Sequence, residues 1–285
     1  MSRAAIEWLA PSSLQEALSL RDERREEATV IAGGTFLGIL INQGFVSPSV
    51  MLSLAGVPGL DAIEVEDDGV LRLGATVTHR AVERSPIVRD GWPALAETFA
   101  VVASPRVRNQ ATVGGVLADA DYASDPPAML AALGATVVLQ SARGSREVAI
   151  GELILGFYET CIEPDELLVE VRVPPSPERA VYRKFRSRSS EDRPCVAVAA
   201  AQAGGRLRVV VGAVAETLQH YSDVCELADG REPDGDIARE IAERYAERIE
   251  PIDDARGSKG YRRRVTAVEV RRAIEALAAE GDARR

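Results

Sequence analysis

The sequence of 285 residues contains only two histidines, His79 and His220, and three cysteines, Cys161, Cys195 and Cys225. The cysteines are odd in number and far apart. With so few imidazoles as well, the chain lacks the ligands for a zinc site or an iron–sulfur cluster of its own. Redox chemistry on this chain would therefore need an organic cofactor. Two isolated histidines also support no Ser/His/Asp or Cys/His nucleophilic set. No apolar run approaches the roughly 18 residues that span a bilayer, so no membrane insertion is expected. The stretch 1–27 meets charged residues too early for a secretory leader, which makes the cytoplasm the expected location. Positive charge is in deficit: 34 Lys and Arg face 44 Asp and Glu, a net charge of −10, which argues against nucleic acid as a partner. Neither GxGxxG nor the P-loop signature occurs, so the two common nucleotide fingerprints are missing. Internal repeats and low-complexity tracts are absent too.

What is present reads as an α+β chain. Ser13 with Glu16 three residues on resembles a capping box, and Leu14, Ala17 and Leu18 give an apolar stripe behind it. The run Arg21 to Glu27 reads as the solvated end of that helix. Thr29-Val30-Ile31 is a β-branched strand leading straight into Ala32-Gly33-Gly34-Thr35. A second strand is expected over Val70–Leu73, with Thr78 capping the helix after it. Pro93–Ala103 reads as another amphipathic helix. In the next helix Asp125 is the candidate N-cap, Pro126 and Pro127 suit the first turn, and Gly134 suits the C-terminal stop. Ala135–Gln140 and Leu167–Val173 read as strands, and Pro174–Pro177 as a linker. Beyond it, Cys195–Gln202 and Arg206–Val214 flank Gly204-Gly205 as a hairpin. Helices are expected over Asp236–Arg248 and Thr266–Ala279.

Two glycine loops carry the chemistry. Ala32-Gly33-Gly34-Thr35 follows one strand, and Ala111-Thr112-Val113-Gly114-Gly115 again runs from a β-branched residue into paired glycines. Without a Cβ, such backbone can approach an anion and aim several N–H groups at it, and Thr35 and Thr112 can add hydroxyls. Two loops face to face would hold a pyrophosphate with no lysine or metal. The plain alternative is that each pair only makes a tight turn. Asp119, Asp121 and Asp125 follow the second loop. A DxD pair alone falls short of the several convergent oxygens of a hard-cation site, and Asp125 is better read as a helix cap or an acceptor for cofactor hydroxyls. For His79 and His220 a surface or capping role is the default.

The order of these segments resembles the medium, FAD-binding subunit of the molybdenum hydroxylases, the family of carbon monoxide dehydrogenase and xanthine dehydrogenase. Four segments carry the resemblance: Ala32–Thr35 with Pro48, Leu52 and Leu54; Leu73–Pro86; Ala103–Ala135; and Tyr182–Phe185 with Arg186 and Arg188, continuing to Asp254–Ser258 and Tyr261–Arg263. It implies a two-lobed FAD-binding domain of the PCMH, vanillyl-alcohol-oxidase-like type over residues 1–175, its lobes meeting near 55–60. A C-terminal α+β domain with an antiparallel sheet would follow over 178–285. The resemblance also implies FAD extended between the lobes, its ring toward the C-terminal domain. The cradle would be Ile31, Ala32, Gly33, Gly34, Thr35, Phe36 and Leu37 with Thr112, Gly114 and Gly115. Ser124 and Asp125 would lie near sugar or ribityl hydroxyls, Leu168 against the ring, and Lys184 close enough to favour an anionic reduced flavin. Val116, Phe36, Asn42-Gln43-Gly44 and Asp121-Tyr122 depart from the family's usual residues. The implied partners are a molybdopterin-binding large subunit and an iron–sulfur small subunit, as a heterotrimer or its dimer, with NAD, a quinone or oxygen as electron acceptor. Two other readings share the scaffold: a stand-alone FAD-dependent oxidoreductase, and a structural protein that has lost FAD.

Overall fold

The computed structural model describes residues 5–187, 189, 192–231 and 235–283; Arg188, one of the residues carrying the resemblance, falls outside them. The fold is α+β. Its first sheet is made of β1 (Glu7–Leu9), β2 (Ala28–Ile31) and β3 (Val50–Ser53), all parallel, in the order β1-β3-β2. Parallel neighbours need crossovers, and the helices Leu14–Arg24 and Leu37–Asn42 supply them. The first helix starts where the capping signal stands: the Glu16 N–H donates to Ser13 Oγ at 3.2 Å. The Glu16 carboxylate accepts in turn from the N–H and hydroxyl of Ser12, each at 2.8 Å. Ala17 and Leu18 then pack on Val50, Leu52 and Leu54. Its far end is not uniformly solvated, as the charge run suggests. Arg21 turns inward and donates to the carbonyls of Glu166 at 3.3 Å and Ala28 at 2.7 Å.

The second sheet is antiparallel. It comprises β4 (Ile63–Val65), β5 (Leu71–Gly74), β6 (Thr136–Ser141), β7 (Gly144–Ala149) and β10 (Leu167–Val173), in the order β4-β5-β10-β6-β7. A two-stranded hairpin, β8 (Ile154–Gly156) with β9 (Glu159–Thr160), stands beside it. One face packs Leu71, Leu73, Val137 and Leu139 against Phe99 and Met129 of the covering helices. The other carries cross-strand ion pairs, including Arg72–Glu170 at 2.7 Å and Arg72–Glu64 at 2.9 Å. This is the two-residue period of a sheet with one wet face. The helix expected over Pro93–Ala103 stops at Ala100, because the chain must swing through Ala103 at φ +42° toward the second glycine loop.

The third sheet is the meander β11 (Arg179–Phe185), β12 (Val196–Ala203) and β13 (Arg206–Gly212). Gly204 and Gly205, at φ +57° and +71°, make the two-residue turn that such a hairpin favours. Strand β12 is buried on both faces. Val196, Val198 and Ala200 pack against the helices Gly235–Arg248 and Lys259–Ala283, while Ala199 and Ala201 join the core around Phe99 and Met129. The last helix starts at Lys259, well before Thr266. Its first turn holds Arg262, fully buried, and a buried arginine interrupts the apolar stripe by which the helix is recognised.

Candidate cofactor site

A cavity of about 640 Å³ opens where the three sheets converge, and every site residue named from the sequence lines it. That volume is within the range of small-molecule and cofactor sites. The first glycine loop forms one wall. Gly33 presses so closely on the chain ahead of the second loop that a Cβ on it would lie 1.8 Å from the Gln110 carbonyl oxygen. Gly34 has φ +66°, where a side chain is strained. The N–H groups of Gly33, Gly34, Thr35 and Phe36 meet no backbone acceptor among the described residues. Consecutive unbonded N–H groups on a cavity wall form a nest suited to an anion.

The second loop is built differently. Its N–H groups are already bonded: Val113 to the Val77 carbonyl at 2.9 Å, Gly114 to the Ala75 carbonyl at 2.8 Å, and Gly115 to Thr112 Oγ at 3.1 Å. These glycines serve close packing, since a Cβ on Gly114 would lie 2.7 Å from that of Ala75. The loop therefore offers shape and the Thr112 hydroxyl, and the backbone donors come from the first loop. Behind it stands His79, which a surface or capping role does not describe. The ring is 1% exposed, packs edge-on to Phe99 at 4.9 Å, and donates from Nε2 to the Thr112 carbonyl at 3.2 Å. Burial holds it neutral, its pKa down at about 4; the Thr112 bond opposes that shift and the charge of Arg108 adds to it.

Asp125 sits at the head of the helix Pro126–Ala132 without capping it. Its carboxylate instead accepts from Tyr182 Oη at 2.7 Å and from Lys184 Nζ at 2.8 Å; Lys184 also donates to the Val101 carbonyl at 3.0 Å. Burial raises the Asp125 pKa and lowers that of Lys184, and their mutual attraction opposes both shifts. The pair presents a buried, partnered ammonium to the cavity. Leu168 enters from β10 at a bulge, where the register against β6 slips between Leu168 and Glu170 and re-aims the side chain.

On the cavity wall, Phe36 stacks on Tyr158 with centroids 5.8 Å apart, and Arg193 lies over Phe36 while pairing with Asp121. Tyr158 is at φ +58°, with its N–H on the Ala120 carbonyl at 3.1 Å. Burial lifts the Asp119 carboxyl to about 7, the Asp121 charge adding to this and Arg193 opposing it. Sequence reading singled out neither Arg193 nor Tyr158, and no local motif marks them. The nest, the cavity's volume and the buried ammonium fit a dinucleotide flavin.

An α+β scaffold with such a cavity suits a flavoprotein subunit. The chain belongs to the FAD-binding medium subunits of the molybdenum hydroxylases. Residues 4–176 match the FAD binding domain in molybdopterin dehydrogenase, and residues 180–277 match the CO dehydrogenase flavoprotein C-terminal domain. Among similar proteins, the nicotine 6-hydroxylase medium subunit of Paenarthrobacter nicotinovorans is 33% identical over 278 residues, covering 96% of this chain and 98% of that one. The carbon monoxide dehydrogenase medium chain of Hydrogenophaga pseudoflava is 28% identical over 277 residues, covering 95% and 96%. In three dimensions, quinoline 2-oxidoreductase from Pseudomonas putida 86 superimposes with a TM-score of 0.90 at 33% identity, covering 98% of this chain and 99% of that one. Carbon monoxide dehydrogenase from Hydrogenophaga pseudoflava gives 0.91 at 29% identity, with the same coverage. FAD is the cofactor of this family's subunit, and the chain is an oxidoreductase component of a multi-subunit dehydrogenase. Among the described residues, no helix is long and apolar enough to cross a membrane.

Proposed function

We propose that this chain carries FAD as the electron-transfer subunit of a cytoplasmic molybdenum-hydroxylase complex, receiving electrons from an iron–sulfur subunit and delivering them to an acceptor. A molybdopterin-binding subunit would oxidise the substrate. The observation that carries the reading is the run of unbonded N–H groups from Gly33 to Phe36, in a cavity that Lys184 also lines. The pyrophosphate would lie on that run beside Thr112, within a unit spanning residues 1–175, and the unit 178–285 would bring Lys184 to the flavin. Ile31, Ala32, Leu37, Gly114 and Gly115 would shape the groove, with Ser124 and Asp125 toward the hydroxyl-bearing linker and Leu168 against a ring. When bound, FAD supplies two-electron and one-electron chemistry; the protein supplies binding, orientation and electrostatics. The chain's cysteines are three, all free, and two of them buried, which supports an external source of iron–sulfur electrons.

Two measurements test this. The purified chain is incubated with FAD, desalted and scanned; a flavin band released as FAD on denaturation is expected. A tagged chain expressed with its neighbouring genes is then expected to co-purify with molybdopterin and iron–sulfur subunits. A chain that stays colourless both alone and among such subunits would overturn the proposal.

A further inference from the structure

Six carboxyl groups line the cavity against three cations, although the dinucleotide flavin it suits is itself an anion. Asp121, Asp125 and Glu166 are held by arginine or lysine. Asp119 is not: its side chain has neither hydrogen bond nor ion pair among the described residues. It is the C-cap of the helix Val113–Ala118, with its N–H on the Gly115 carbonyl at 2.9 Å. The carbonyl end of a helix disfavours a negative charge. The Asp121 charge acts on it from two residues away, while Arg193, the cation that offsets this, is already paired with Asp121. Arg193 also lies 5.7 Å over the ring of Phe36, whose N–H is the last of the unbonded run. Asp119 thus belongs to the charge cluster beside that run. Tyr158 shares the same two neighbours, and Asp192 and the Asp125–Lys184 pair line the same cavity. Burial and Asp121 already lift the Asp119 carboxyl to about 7.

A pyrophosphate on the run brings further negative charge. Like charge disfavours a carboxylate and raises its pKa, so ionised Asp119 and the loaded cavity oppose each other. We propose that Asp119 binds FAD as the neutral acid, taking one proton from solvent as the cofactor enters and presenting an O–H in place of a like charge, an inference that rests on the flavin-subunit reading above. FAD affinity is therefore level below the free carboxyl's pKa and falls as pH rises above it.

The FAD-free chain is titrated with FAD across pH while flavin fluorescence is followed. Binding at any pH checks the underlying reading first; a chain that binds none at any pH overturns that reading, and this one with it. The half-saturating FAD concentration is expected to rise by about ten-fold from one pH unit below 7 to one above. His79 stays neutral over this range, its pKa being about 4. Calorimetry in two buffers of different ionisation heat should count close to one proton taken up at the upper pH and almost none at the lower. Asp119→Asn keeps a donor and breaks no side-chain contact. Its FAD affinity should be level over the range and exceed that of the unaltered chain at the upper pH by about ten-fold. Asp121→Asn keeps an oxygen for the Ala123 N–H, removes the like charge and should move the onset to lower pH. FAD binding without proton uptake at the upper pH, or an Asp119→Asn variant that keeps the unaltered slope, overturns the proposal.

Discussion

Gly33 rests against Gln110: a Cβ on the glycine would lie 1.8 Å from the Gln110 carbonyl oxygen and 3.2 Å from the α-carbon of Ala111. This contact sets the first loop against the approach to the second, and so sets the width of the cavity between them. Gly33→Ala must push backbone from backbone. We expect it to cost about 3 kcal/mol or more of stability, as overpacking of rigid surroundings does, and to abolish FAD retention after desalting. Gly38→Ala is the control, because nothing lies within 4 Å of its would-be Cβ. It should leave FAD retention unchanged and raise the melting temperature slightly, alanine being the better helix former.

Lys184 and Asp125 have side chains only 3% and 5% exposed. Removing one partner strands the other. Lys184→Met should destabilise the chain by about 3–5 kcal/mol, read from urea melts of the FAD-free protein. Adding Asp125→Asn, which retains an acceptor for Tyr182, should recover part of that loss. If the double variant were as unstable as the sum of the two single variants, the coupling would be absent.

His79 ties stability to pH. Its folded pKa, about 4, lies below the unfolded value of 6.5, so as pH falls the unfolded chain takes the proton first. The contribution is complete above pH 6.5 and declines down to about pH 4, by about 3 kcal/mol at most. His79→Gln retains a donor for the Thr112 carbonyl and should flatten the stability profile over that window. An unchanged slope would exclude His79 as its source.

Asp254 gathers Tyr122 Oη at 2.7 Å, Arg262 Nη2 at 2.7 Å and the N–H groups of Arg256 and Gly257. Burial works against its charge, but these donors and the Arg262 charge prevail and hold its pKa at about 2. Its folded value is thus depressed from 3.8, so its contribution is full above pH 3.8 and is lost as pH falls toward 2. Asp254→Asn should remove that acid-side loss. It should also lower the melting temperature at neutral pH, because Arg262, with no exposure, loses its counter-charge.

Sequence reading located the residues of the cavity better than it described their work. The strand-to-glycine transitions at Ile31–Gly34 and Thr112–Gly115 are local patterns, and the structure brings both to one cavity. Which loop has free N–H groups is set by Ala75 and Val77, far away in sequence, so no local pattern reveals it. The surface or capping role expected for His79 and the capping role expected for Asp125 fail for the same reason, while Asp125 as an acceptor for cofactor hydroxyls stands as proposed. A histidine at a helix start and an aspartate before two prolines look like surface or capping residues until Phe99 covers one and Tyr182 and Lys184 engage the other. The length of the last helix was hidden by Arg262, whose burial is compensated by Ala213 and Asp254, across turns of chain that periodicity does not see.

The knot around Asp254 gives the cavity a birth order. Both glycine loops leave the ribosome early, Lys184 follows, and Tyr122 acquires its partners Asp254 and Arg256 only when the final segments emerge. The edge-to-face contact of Tyr122 with Phe157 is thus braced from partners 132 and 134 positions further along the chain.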